Sequence, residues 1–237
     1  EHTLERASSA SSGGRWPCTL AAFGGGIAVA NYFDGVVGLV RGSELVGSVQ
    51  LEGSGPHERQ AGPHAHTVLA LDDETLLSVD LGADRVNVHG ADLAVAASLQ
   101  LPAGTGPRDL VRLPSGLFVL LSELSHELFM LRWTGQTLEV VASSSVPGAE
   151  AGDNDSAISV WGDFVYTGLR GSNRIAVSRL AGEAVEPVGW VACEGEWPRH
   201  HAVDGDVLHV ANQLSDSVAS FRLATDGLPA LIAEPTA

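Results

Sequence analysis

Apolar residues in this chain come in short runs, and each run breaks at a cluster of polar or small residues. Between Pro63 and Gln100 the runs cover residues 67–71, 76–79, 85–89 and 94–99. Turn formers separate them: Asp72-Asp73-Glu74, residues 80–84, and Gly90-Ala91-Asp92. Runs this short, rich in Val and Leu and bounded by Asp and Gly, predict β-strands joined by tight turns. No segment keeps the 3.6-residue apolar period over the length of a helix. Residues 121–131 could suit a helix by content, but their place in the pattern predicts two strands around a turn.

The pattern repeats. A proline precedes a β-type run at Pro17-Cys18, Pro63-His64, Pro107-Arg108 and Pro198-Arg199. The spacing is about 45 residues, with one skipped step near Asn154-Asp155. One strand further on, an apolar run enters a polar turn at residues 31–35, 80–84, 122–126, 169–173 and 212–216. Two markers with one period, and four strands per period, predict an all-β chain built as a β-propeller of four-stranded blades. A two-sheet sandwich needs no such regular period. About five blades are visible, so residues 1–237 are expected to form a single propeller domain, incomplete at the N-terminus and at the closing strand. The Ser-rich residues 8–12 look like the tail of a preceding blade, and residues 228–237 like an outer strand.

Strand parity places the two markers on one face of the blades. The turns on the opposite face are bland, as at Gly24-Gly25-Gly26 and Pro114-Ser115-Gly116. On the marker face, the first strands begin with Cys18, His64 with His66, Arg108, Asn154 with Asp155, and Arg199 with His200 and His201. The second strands end in Tyr32, Leu81, Glu123, Arg170 and Gln213. Chemistry that varies from blade to blade at one face marks that face as the functional one.

Charge sharpens this reading. The chain has 13 Arg, no Lys, and 29 Asp plus Glu, for a net charge of −16. Such a chain is a poor partner for nucleic acid or an anionic membrane. No apolar run reaches the ~18–20 residues of a spanning helix, and Cys18 and Cys193 make no disulfide framework. Arg108, Arg170 and Arg199 gathered on one face of an acidic protein point to an anionic ligand, because guanidinium forks match carboxylate and phosphate. The alternative is salt bridging between blades, to Glu123, Asp109 or Asp155. His66 and Glu123 are the proton-transfer candidates. Asp153, Asn154, Asp155 and Asn212 carry oxygens that suit a cation, but the arginines repel one, so no metal is expected. Cys18 reads as a bystander thiol, and Trp16 and Trp197 as walls for a ligand.

Several motifs together resemble one family. Trp16-Pro17-Cys18, Ala30-Asn31-Tyr32, Pro63-His64-Ala65-His66, Gly106-Pro107-Arg108, Glu123-Leu124-Ser125, Arg170-Gly171 and residues 211–216 resemble the lactonase family of seven-bladed propellers over roughly residues 13–222. That family includes one type of bacterial 6-phosphogluconolactonase and the fungal 3-carboxy-cis,cis-muconate lactonizing enzyme. The resemblance implies seven blades and a cytoplasmic, cofactor-free, metal-independent lactone hydrolase, acting as a monomer on a small anionic sugar or dicarboxylic lactone. It implies His66, Arg108, Glu123 and Arg170 as catalytic residues; His64, Arg199, His200 and Gln213 are the expected substrate-binding residues. One departure is Ser156-Ala157-Ile158, where the family usually has Ala-Glu-Ile. The alternatives are a carboxymuconate cycloisomerase, or a non-catalytic propeller that binds a ligand or protein on the same face.

Overall fold

Each short apolar run pairs with the next one in sequence, the simplest way to satisfy backbone hydrogen bonds over a tight turn. The computed structural model describes Glu5 and residues 7–236, with side chains through residue 232. Its strands form five antiparallel four-stranded sheets, each built from four consecutive strands. The chain divides into two compact units, residues 1–106 and 107–237. The first unit holds β1 (Pro17–Phe23), β2 (Gly26–Asn31), β3 (Val36–Arg41) and β4 (Glu44–Gln50), then β5 (Ala65–Ala70), β6 (Leu76–Asp80), β7 (Arg85–His89) and β8 (Val95–Gln100). The second holds β9 (Pro107–Arg112), β10 (Phe118–Ser122), β11 (Glu127–Trp133) and β12 (Leu138–Ser145); β13 (Asn154–Trp161), β14 (Phe164–Arg170), β15 (Arg174–Ala181) and β16 (Ala184–Ala192); and β17 (Pro198–Asp204), β18 (Val207–Asn212), β19 (Ser217–Arg222) and β20 (Ala230–Thr236). These are propeller blades, and residues 121–131 form two strands around a turn.

Within each unit the first strands of successive blades lie against each other: β1 on β5, β9 on β13, and β13 on β17. Side chains tie them. Thr19 Oγ1 donates to His66 O at 2.9 Å, Ile158 N donates to Asp109 Oδ2 at 3.3 Å, and Ser156 Oγ donates to Pro198 O at 2.6 Å. Apolar cores fill the space between blades, around Phe23, Leu39 and Leu76 in the first unit and around Leu121, Met130, Tyr166 and Phe221 in the second. Fourth strands alternate exposed and half-buried residues, as expected of outer strands.

The pairing register corrects one marker. The first strand meets the end of the second at Pro17–Asn31, Ala65–Asp80, Pro107–Ser122, Asp155–Leu169 and Pro198–Asn212. Pro63 therefore stands ahead of the position held by the other three prolines, and Asp155 occupies the skipped step. The residue after this position is then Cys18, His66, Arg108, Ser156 or Arg199. His64 falls instead with Trp16 and Trp197. The carbonyls of these three accept from Leu81 N, Tyr32 N and Gln213 N, each at 3.0 Å.

The five polar turns share one device. Each ends on a left-handed residue: Gly35 (φ 66°), Asp84 (54°), His126 (55°), Asn173 (59°) and Asp216 (47°). In the second unit its side chain twice reaches the start of the next blade, and in the first unit Asp84 holds the chain that leaves β8. Asp84 accepts from Gly104 N and Gly106 N at 2.8 and 2.7 Å, and Asn173 Oδ1 accepts from Trp197 N at 2.8 Å. His126 Nδ1 meets Asp155 Oδ1 at 2.9 Å.

Candidate active site

Arg108, Glu123 and Arg170 come together in the second unit, and strand register explains why. Arg108 is the second residue of β9, Glu123 follows the end of β10 in the same blade, and Arg170 ends β14 in the next. The Glu123 carboxylate lies between the two guanidinium groups. Arg108 Nη1 contacts Oε2, and Arg170 Nη2 stands 2.7 Å from Oε1. Side-chain exposure is 6% for each arginine and 0% for the glutamate. Backbone carbonyls complete the hold. Arg108 Nε donates to Ser156 O at 2.6 Å, and Arg170 donates to Asn154 O at 3.0 Å and to Asp155 O at 3.3 Å. Gly171 follows with φ 121°, and a Cβ there would lie 2.7 Å from Asp153 Oδ1. Only glycine lets the chain leave Arg170 in that direction.

Two guanidinium groups against one carboxylate leave a formal surplus of one positive charge in a buried place. Burial pulls the Arg170 guanidinium down to about 10; Glu123 opposes the shift, while Arg108 and Arg199 add repulsion. It stays charged at neutral pH. The Trp197 ring lies 5.6 Å from it. The arrangement can accept an anion or stabilise developing negative charge, provided the incoming group competes with Glu123 for the same donors.

Beside it, His126 and Asp155 make an ion pair that the sequence reading did not assign. Burial lifts Asp155 to about 6, with Asp153 and Glu123 adding to the shift and His126 opposing it. Its hydrogen bond to Asp155 raises His126 above the usual histidine range, against the effect of burial. The signal was present: the fifth turn position reads Gly, Asp, His, Asn, Asp, and of these only histidine brings a side chain that titrates near neutral pH.

The other expected residues fall as follows. Arg199, His200 and Gln213 line a shallow cavity of about 390 Å³ on the last blade, together with Asn212, whose buried Oδ1 has no hydrogen-bond partner among the described residues. His201 is buried; burial first, then His200, pushes it down to about 3, so it is neutral. Its Nδ1 faces Ser159 Oγ at 2.8 Å. In the first unit His66 is buried and meets the Tyr32 ring edge-on at 5.7 Å, while His64 stacks on the same ring at 4.6 Å and donates from Nδ1 to Tyr32 O at 2.8 Å. Cys18 Sγ lies 3.6 Å from Ala65 O. Of the oxygens weighed for a cation, those of Asp153 accept from Glu150 N, Ser172 N and Ser172 Oγ, and Asp155 Oδ1 pairs with His126.

Comparison with known proteins shows the family of the chain. The family described as lactonase, 7-bladed beta-propeller, matches residues 1–235. The chain belongs to the lactonase family. It is 34% identical over 167 residues to 6-phosphogluconolactonase of Bacillus subtilis, a match covering 64% of this chain and 47% of that protein. A structure from Lactobacillus plantarum superposes with a TM-score of 0.86 at 27% identity, covering 92% of this chain and 70% of that one. The periplasmic gluconolactonase PpgL of Pseudomonas aeruginosa superposes with a TM-score of 0.78 at 27% identity, covering 90% and 69%. The chain spans about half the length of the curated relatives it matches. Among the described residues no helix is long and apolar enough to cross a membrane.

Proposed function

We propose that this chain carries out lactone hydrolysis on a small lactone bearing an anionic group, with a phosphorylated aldonolactone as the substrate class. The observation that carries the reading is the buried Arg108–Glu123–Arg170 group, which holds surplus positive charge in a protein of net charge −16. Its likeness to a 6-phosphogluconolactonase supports the same class. In the reaction, water adds to the lactone carbonyl, the carbonyl oxygen becomes an oxyanion, and the ring C–O bond breaks. The proton from water passes to the ring oxygen, leaving a hydroxy acid. Arg108 and Arg170 have the chemistry to stabilise the oxyanion or hold the anionic substituent. Glu123 orients both guanidinium groups. Arg199, His200 and Gln213 are assigned to the polyol chain.

The test is turnover of 6-phosphogluconolactone and of unphosphorylated gluconolactone, with spontaneous hydrolysis subtracted. The phosphorylated lactone should be preferred, and Arg108→Ala and Arg170→Ala should each lose at least about tenfold in kcat/KM, ~1.4 kcal/mol of transition-state stabilisation. A folded protein with no rate above background on either lactone refutes the assignment. That outcome favours a non-catalytic propeller, a reading supported by the prior commitment of both arginines to Glu123.

A further inference from the structure

The side chain that links one blade to the next differs in kind beside the arginine group. In two other turns the left-handed residue binds backbone amides further along the chain: Asp84 binds Gly104 N and Gly106 N, and Asn173 binds Trp197 N. Those links pair a side chain with an uncharged backbone group. At His126 the link is side chain to side chain, between two ionisable groups, and Asp155 is fully buried with Oδ2 unpartnered among the described residues. Asp155 also lies within the arginine group's support. Its carbonyl accepts from Arg170 Nη2, the preceding carbonyl of Asn154 accepts from Arg170 Nε, and its N–H points to Glu123 O at 3.4 Å. The backbone that the latch anchors is therefore the backbone that orients Arg170.

We propose that His126 and Asp155 are positioning residues for Arg170, forming a protonation-dependent latch that sets how firmly its guanidinium is held. The inference rests on the lactonase reading for its catalytic consequence, though not for the latch itself. The groups facing the latch are Asp153 and Asp155 from the start of the next blade, Glu123 on its own turn, and the Arg170 guanidinium bound to the Asp155 carbonyl. The ion pair exists above the ionisation of Asp155 at about 6 and below that of His126, which lies above 6.5. Once His126 loses its charge, the attraction on Asp155 falls and the carbonyls holding Arg170 loosen. Anion affinity then weakens while the chemical step is spared, so KM rises more than kcat falls.

The direct test is an NMR pH titration of the whole protein. It follows the His126 Cε1–H signal and the Arg170 Nε–H signal, the latter assigned by its loss in Arg170→Lys. Arg170 should shift with the same midpoint as His126. His126→Asn keeps a residue that tolerates a left-handed backbone, as Asn173 does, and removes the titration. In it and in Asp155→Asn the Arg170 shift should vanish, and KM for 6-phosphogluconolactone should lose its rise of about tenfold across the midpoint, the size expected for weakening one charge-assisted hydrogen bond. His209→Asn, which removes a histidine that bonds Ser220 on the neighbouring strand of the last blade, should keep both behaviours. An Arg170 signal that stays flat while His126 titrates in the unaltered protein overturns the proposal, whatever the variants do. So does an Arg170 shift that disappears equally in His209→Asn. An Arg170 signal that follows His126 in a protein without lactone turnover keeps the latch and refutes the lactonase reading instead.

Discussion

Glu123→Gln removes one charge and almost no volume from the centre of the site. Two guanidinium groups, each with side chains only 6% exposed, would then face each other with no carboxylate between them. Their bonds to the carbonyls of Ser156, Asn154 and Asp155 remain, so neither arginine can swing into water without leaving buried acceptors unpaired. The amide oxygen can accept from one guanidinium, but its NH2 group then confronts the other. Removing one partner of a buried ion pair costs ~3–5 kcal/mol. For a chain of this size each kcal/mol moves Tm by about 2–4 °C, so the variant should melt ~6–20 °C lower. Inorganic phosphate should enter between the arginines and recover part of the loss, up to about 2.7 kcal/mol at a hundred times its Kd. The double variant Glu123→Gln with Arg170→Met removes the confrontation and should be more stable than the two single losses predict. Urea and thermal unfolding, with and without phosphate, measure all of this. A Glu123→Gln protein within about 1 kcal/mol of the unaltered one, with the same response to phosphate, would show that the carboxylate does not hold a buried cationic pair.

Other outcomes follow from the same structure. Gly171→Ala places a Cβ 2.7 Å from Asp153 Oδ1 at φ 121°, so unfolding experiments should show a loss of ~1–3 kcal/mol, with reduced lactone turnover because Arg170 precedes it. His201, pushed down to about 3 in the folded protein, should show no NMR titration between neutrality and about pH 4.5. Because the unfolded chain takes up that proton more readily, this histidine contributes stability above about pH 6.5 that is lost as pH falls. A histidine-to-asparagine change at 201 should flatten that part of the stability profile, and an unchanged profile would contradict the buried neutral state. Asp155 has the opposite sign. Its raised value means that the folded protein holds the proton more tightly, so its contribution falls as pH rises from about 4 to about 6. Comparing unfolding of Asp155→Asn with that of the unaltered protein across this range isolates it.

The architecture was readable in the chain because blade structure is local. Each strand pairs with its sequence neighbour, so a period of about 45 residues and its turn formers suffice to set four strands per blade, and parity suffices to place both markers on one face. Arg108, Glu123 and Arg170 were legible for the same reason: they occupy repeated positions whose residue type changes from blade to blade. Register was not legible to the residue. Pro63 resembles the other prolines, but β5 pairs through Ala65, and that shift separates His66 from His64. Nor could the sequence say that both arginines would bind one carboxylate, because that depends on where the ends of β10 and β14 fall relative to the start of β9. The His126–Asp155 latch required the tertiary structure for the same physical reason. A left-handed turn aims its side chain across the gap between blades, and only packing decides which group stands on the far side to meet it.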